Sequence, residues 1–326
     1  MVEYVRISLG TALLLGLLDG TPPGNFATVF LMTYNEEGCR ANCAFCPQAL
    51  ESSSSPEMLS RIGWPQYRLK DVVDSIPETK GIQRICIQSL NYPNAIQDVK
   101  DISKRVRSVS DAPMSTCIHP ISKKEMSGLK RDGINNIGIA IDACTPGLFD
   151  SVKGVFRNGP YSWESHFAAI RNAQQVFGKS NVTTHLIIGL GESEEDAARF
   201  LFRMNEMGVK VGLFAFTSIK GTAFEQRHQP DLKKYRRIQA LRHLISQGRI
   251  TEEDISFDHI GVMKFKSDPN SLRESLSSGG AFRVTGCPGC NRPYYNERPK
   301  GPMFNYPRPL TDDELAEALK DTGLVN

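Results

Sequence analysis

Cys39, Cys43 and Cys46 stand in the stretch "YNEEGCRANCAFCPQA" (residues 34 to 49), spaced C-x3-C-x2-C. Three thiolates on one short loop can hold three irons of a cubane iron–sulfur cluster and leave the fourth iron without a protein ligand. An iron left open in this way binds something else. Clustered thiols also serve zinc, but a structural zinc asks for four ligands, usually as two separated pairs. Buried free cysteines are the remaining reading.

The other five of the eight cysteines are not scattered evenly. Cys86 ("RICIQ") and Cys117 ("STCIHP") stand in apolar runs, Cys144 ("IDACTP") follows a third, and Cys287 and Cys290 form C-P-G-C near the C-terminus. A single strand cysteine is most often a small core residue. A C-x2-C turn is sharper, because it brings two thiols to one metal centre and needs partners from elsewhere. Disulfide frameworks belong to small secreted domains without a core, and a chain of 326 residues is not one. Metal or redox use in the cytoplasm is the expectation.

The elements that must position these thiols follow from periodicity. From about residue 26, short apolar or β-branched runs alternate with longer helical patterns, as in βα units around a parallel sheet. Strands are expected over 26 to 33, 82 to 89, 112 to 119, 134 to 142, 182 to 190 and 209 to 217. Helices follow near 66 to 76, 94 to 108, 122 to 131, 161 to 177, 194 to 207 and 231 to 247. Six consecutive units point to an α/β fold, a partial TIM-like barrel, with chemistry at the C-terminal ends of its strands, where the first strand runs into the three-cysteine loop. Residues 1 to 24 read as an amphipathic helix (roughly 3 to 18) with an apolar run too short for a membrane span of ~20 residues, residues 25 to 250 as the barrel, and 251 to 326 as an irregular extension. The segment "GCPGCNRPYYNERPKGPMFNYPRP" is too rich in Pro and Gly for long helices and reads as an ordered wrap over the barrel mouth or as a flexible tail; Tyr294, Tyr295, Phe304 and Tyr306 offer surface to bury and favour the wrap. Lys and Arg total 39 against 36 acids, a formal charge of +3 with no like-charge run, so a dedicated nucleic-acid binder is not expected.

Cys39, Cys43, Phe45 and Cys46 resemble the C-x3-C-x-aromatic-C hallmark of the radical S-adenosylmethionine (SAM) enzymes, placed after the first strand of a six-unit βα barrel. The resemblance implies that the amino and carboxylate groups of SAM complete the shell of the open iron. One electron then cleaves SAM to methionine and a 5'-deoxyadenosyl radical, which removes hydrogen from an unactivated carbon. It also implies SAM contacts at Phe45, at Gly189, Gly191 and Glu192 of "LIIGLGE", at Asp142 on the ribose, and at His166 near the carboxylate. Without the resemblance, the glycine pair is a tight βα turn, Asp142 a loop cap and His166 an exposed helical residue. Ala140 stands where relatives carry asparagine.

"ICIQSLNYP" and "TCIHP" are similar to the two strand segments in which biotin synthase carries ligands of its sulfur-donating second cluster, with Thr183 in place of a third ligand. The implied auxiliary 4Fe-4S cluster of this chain uses Cys86, Cys117, Cys287 and Cys290, with Cys144 in reserve. The C-terminal stretch resembles the two-protein lipoyl synthases of archaea and some bacteria. That implies hydrogen abstraction from C6 or C8 of a protein-bound octanoyl chain and sulfur donation by the auxiliary cluster. The implied partners are an octanoylated lipoyl carrier protein or domain, a second radical SAM subunit, and a ferredoxin or flavodoxin as electron donor. A true biotin synthase or another barrel-only radical SAM enzyme is the alternative. Arg292, Arg298 and Arg308 in the tail are candidate contacts to SAM, cluster sulfides or a carrier, or ordinary surface arginines.

Overall fold

The structure, a computed structural model, describes residues 1–297 and 300–323. The chain opens with strand β1 (Tyr4–Ile7) and a short helix α1 (Leu9–Leu14), then enters β2 (Thr28–Thr33). After the cysteine loop come a two-stranded hairpin, β3 (Met58–Leu59) and β4 (Ile62–Gly63), then β5 (Gln66–Arg68) and α2 (Leu69–Ser75). From there the βα rhythm is regular: β6 (Arg84–Gln88), α3 (Ala95–Arg107), β7 (Met114–Cys117), α4 (Lys123–Arg131), β8 (Ile134–Gly138), α5 (Pro146–Val152) and α6 (Trp163–Phe177). It ends with β9 (Val182–Ile188), α7 (Glu194–Glu206), β10 (Lys210–Ala215) and α8 (Leu232–Ser246). A small antiparallel pair, β11 (Ile255–Phe257) and β12 (Met263–Phe265), precedes α9 (Pro269–Leu276) and α10 (Asp312–Thr322).

The main sheet has the order β10-β9-β8-β7-β6-β2-β1-β5. Its six parallel strands, β2 and β6 to β10, are the six expected from periodicity, and their sequential order curls them into the partial barrel. Burial on both faces explains why they read as apolar runs: all six residues of β2 are buried.

Three elements differ from expectation. Residues 4 to 7 form a strand, not the start of a helix, because the β-branched Val5 and Ile7 pair with Thr33 and Leu31 of β2 and are fully buried; α1 is correspondingly short. Gln66–Arg68 pairs antiparallel with β1 before α2 begins. In the extension, α10 is a regular helix started by a capping box, with Thr311 and Glu314 bonding each other's backbone N–H; that T-x-x-E signal lay in the sequence beyond the Pro-rich stretch.

The described residues of the Pro-rich tail pack against the barrel, starting at the end opposite the mouth. Thr28 Oγ1 donates to Gly289 O at 3.1 Å, and Arg84 Nε donates to Pro288 O; these are the first residues of β2 and β6. The chain then climbs the open seam of the sheet. Ser60 Oγ donates to Tyr295 O (3.2 Å), Arg61 Nη1 to Tyr294 O (3.3 Å), and Thr217 Oγ1, just past β10, to Asn296 O (3.2 Å). Phe304 and Tyr306 are buried, with Phe304 packed edge-on against Tyr235 of α8. The tail therefore closes both the floor and the side that six strands leave open.

Candidate active site

One cavity of about 580 Å³ runs through the barrel, and seven of the eight cysteines line it. At the mouth, the loop after β2 brings Cys39, Cys43 and Cys46 together, with Phe45 beside them. The loop is fixed by its backbone: Cys46 N donates to Cys43 O (3.0 Å), Ala44 N to Val152 O (2.8 Å), and Asn91 N donates to the sulfur of Cys39 (3.3 Å). Burial pushes the Cys43 thiol up to about 12, against a downward pull from Lys153, and burial and the neighbouring Cys43 and Cys39 raise Cys46 well above its usual value. Metal binding at these thiols must therefore expel protons.

Deeper in the barrel, Cys86 from the middle of β6, Cys117 from the end of β7, and Cys287 and Cys290 from the tail line the same cavity. They are electrostatic neighbours: burial raises Cys86 most, followed by the charges of Cys287 and Cys290. Burial, with Asp142 next, holds Cys117 at about 12, and burial also raises Cys290. Gln88 Nε2 donates to the Cys86 sulfur at 3.0 Å. Gly138 leaves room here, since a Cβ on it would stand 3.1 Å from Thr183 Oγ1 and 3.6 Å from the Cys117 sulfur. Cys144 does not line the cavity; it is buried elsewhere, with Glu192 and Asp196 as its charged neighbours.

The remaining expected site residues divide. Asp142 lines the cavity beside Ala140, and its carboxylate is paired with buried Lys153 at 2.7 Å. Lys153 Nζ also donates to Ala140 O at 2.7 Å. His166 lies outside the lining, packed between the rings of Phe149 and Tyr161 with its Nδ1 against Ser162 O; burial lowers it to about 3, so it is a neutral core group, and Lys153 is the cation at the mouth. Gly189, Gly191 and Glu192 also lie outside the lining. Glu192 accepts from the N–H groups of Gly189, Leu190 and Gly191 and pairs with Lys234 at 2.8 Å, which fixes the turn after β9.

Two groups that motif reasoning passed over or left undecided complete the site. His185 points inward from β9, stacks on Phe214 (4.8 Å between centroids), and is lowered to about 4 by burial. Its position two residues beyond Thr183, on the same strand face, is the signal that would have found it. Arg292 lines the cavity, lies over the Phe214 ring (4.1 Å) and donates to Thr285 O at 2.8 Å. Arg308 is instead paired with Glu314 at 2.7 Å on the surface, and Arg298 lies outside the described residues.

Three partly buried thiols line the mouth with no fourth cysteine at that end, a donor set that fits a cluster with one open iron. Among the described residues no helix is long and apolar enough to cross a membrane.

A family profile described as "Radical SAM superfamily" matches residues 37–204, just over half of the chain. The chain is similar to a biotin synthase of Acetivibrio thermocellus, 23% identical over 200 residues that cover 58% of this chain and 57% of that one. It is similar to the mitochondrial biotin synthase of Saccharomyces cerevisiae at 23% over 214 residues, covering 63% and 54%. The match thus spans little more than half the length of these relatives. Among solved structures, the FeFe-hydrogenase maturase HydG of Carboxydothermus hydrogenoformans (TM-score 0.55, 17% identity, covering 92% of this chain and 67% of that one) and methylornithine synthase (0.54, 14%, covering 93% and 84%) share the fold. Membership implies a 4Fe-4S cluster and SAM, which when bound supply a carbon-centred radical able to remove hydrogen from an unactivated carbon. The chain belongs to the radical SAM superfamily.

Proposed function

We propose that this chain is a sulfur-inserting enzyme of lipoyl assembly, acting at C6 or C8 of a protein-bound octanoyl chain, with the inserted sulfur drawn from an auxiliary 4Fe-4S cluster. One observation carries the reading: four thiols separated by about two hundred positions, Cys86, Cys117, Cys287 and Cys290, line the cavity that also holds the Cys39, Cys43 and Cys46 triad. A cavity with thiols at both ends suits a reaction in which a carbon centre is made at one end and meets sulfide at the other.

The chain's own residues hold that geometry. Cys39, Cys43 and Cys46 would hold the cluster that SAM completes. Asp142, clamped by Lys153, presents an acceptor at the mouth. Phe30, Met32, Trp64, Phe214 and Tyr295 line the interval and exclude water from it. Cys144 is the reserve ligand, although its place beside Glu192 and Asp196 argues for a packing role. The proposed partners are an octanoylated carrier protein or domain, a second radical SAM subunit for the other carbon, and a ferredoxin or flavodoxin.

The likeness to biotin synthases favours dethiobiotin as a rival substrate. Anaerobically reconstituted protein with reductant and SAM, offered an octanoyl-lysyl peptide or dethiobiotin, separates the two. The proposal expects deoxyadenosine formation stimulated by the peptide and a sulfur-containing peptide by mass spectrometry. Stimulation by dethiobiotin alone replaces it with the rival.

A further inference from the structure

The cavity has two kinds of wall. One carries polar groups, among them Gln48, Asp142, His185 and Arg292; the other is mostly hydrocarbon, built by Leu9 and Leu13 of α1, Phe26, Phe30, and Leu59 and Ile62 of the β3–β4 hairpin. This second wall is graded from solvent inward. Leu9 is 44% exposed, Leu13, Leu59 and Ile62 are partly exposed, and Phe26 and Phe30 are buried. Phe26 and Phe30 belong to one apolar cluster with Cys86, against which Cys39 of the triad and Cys290 of the tail both pack. The strip thus leads from the surface to the interval between the two thiol sets.

The space along the strip depends on Gly10. A Cβ there would stand 3.0 Å from Phe26 Cζ, so a side chain would have to displace that ring. The named side chains of the strip are hydrocarbon, and of the polar groups beside them Ser8 bonds Thr11, Ser60 bonds Tyr295 O and Arg61 bonds Tyr294 O, which leaves the Trp64 indole N–H as a buried donor without a hydrogen-bond partner. A ligand bearing a ureido ring and a carboxylate would trade its hydration there for few free partners, whereas an unbranched hydrocarbon loses nothing.

We infer that this strip, between α1 and the β3–β4 hairpin, is the passage by which a straight acyl chain on a carrier lysine enters end-first, and that Leu9, Leu13, Leu59 and Ile62 select for its length. The inference rests on the octanoyl reading above and adds the route and the selecting residues. Chain length is then read in carbon: each buried CH2 is worth about fourfold in affinity, so shortening octanoyl to hexanoyl weakens binding on the order of tenfold.

The test uses the reconstituted full chain, kept anaerobic with SAM. An octanoyl-lysyl peptide carrying a diazirine at its terminal carbon is irradiated on the protein and the adducts are mapped by mass spectrometry. Adducts on Phe26, Phe30, Leu59 or Ile62 support the passage; adducts confined to Phe45, Pro47 and Phe216 at the mouth, or no specific adduct, overturn it. By calorimetric titration, the octanoyl peptide binds on the order of tenfold more tightly than the hexanoyl peptide; equal affinities, or tighter binding of free octanoate or dethiobiotin, overturn it. Leu9→Glu, at a half-exposed rim position, weakens the octanoyl peptide roughly fivefold or more. Leu18→Glu, at a residue 40% exposed and outside the lining, does not; equal binding by the two variants overturns the assignment. The two readings fail separately. Sulfur in the product with adducts only at the mouth removes the passage and keeps the function; adducts along the strip with no sulfur in the product keep the passage and remove sulfur insertion.

Discussion

Lys153 Nζ stands 2.7 Å from Asp142 Oδ2, with both side chains buried at the mouth of the barrel beside Cys43. Asp142 holds φ at +68°, a left-handed conformation rare for a residue with a side chain. The neighbouring strand enforces it: Asp142 N donates to His185 O (3.0 Å) and Ile187 N donates to Asp142 O (2.9 Å). The carboxylate is therefore aimed by backbone bonds and neutralised by the lysine.

Removing one partner strands the other's charge. Lys153→Met is expected to destabilise the metal-free protein by about 3–5 kcal/mol, read as a lowered midpoint of thermal unfolding. The double variant Asp142→Asn/Lys153→Met recovers a large part of the loss, because two neutral groups leave no buried charge. Additive losses would show that the pair does not act as a unit.

Iron content reports on the tail. Reconstituted wild-type chain is expected to hold ~8 irons, as two cubane clusters. Cys287→Ser/Cys290→Ser reduces that to ~4, and Cys43→Ala removes the other ~4. An unchanged count in the first variant would show that the tail holds no cluster.

Glu192 is expected to act through the turn it folds. Its carboxylate accepts from three N–H groups and pairs with Lys234, so Glu192→Ala leaves several donors without partners and costs on the order of 3 kcal/mol. Gly189→Ala is strained independently, with φ at +106° and a Cβ 2.9 Å from Pro230 Cδ. Both lower the unfolding midpoint of metal-free protein, a change that a residue serving only to contact SAM would not produce.

Acid should weaken the fold through two histidines. Burial holds His166 at about 3 and His185 at about 4, below their usual value. Between those values and about 6.5 the unfolded chain binds protons that the folded chain does not, so stability is full above that window and falls as pH drops through it. Each histidine contributes a slope of about 1.4 kcal/mol per pH unit. His166→Phe, which keeps an aromatic between Phe149 and Tyr161, should flatten the fall of the unfolding midpoint between pH 6.5 and 4 relative to wild type.

Much of this site was legible in the sequence because its chemistry is local or periodic. The triad occupies one loop, and the six parallel strands are short apolar or β-branched runs alternating with longer helical patterns. Cys86 and Cys117 could be set on adjacent strands by counting βα units, and pairing registers Cys117 opposite Gln88, two residues beyond Cys86. The parts less legible depend on tertiary partners. Val5 and Ile7 become a strand only because β2 offers an edge, His166 packs between Phe149 and Tyr161, and Glu192 bonds its own turn and Lys234. The tail's position beneath the barrel rests on side chains such as Thr28 and Arg84 gripping carbonyls some two hundred and more residues away, which no local pattern encodes.

That grip has an architectural meaning. The seam between β10 and the β3–β4 hairpin is sealed by side-chain bonds from Ser60, Arg61, Thr217 and Gln229 to carbonyls of the tail rather than by a ladder. None of those bonds belongs to the pairing of the six parallel strands. The wall on that side is thus built by side chains, and its shape answers to single substitutions that leave the register of the sheet alone.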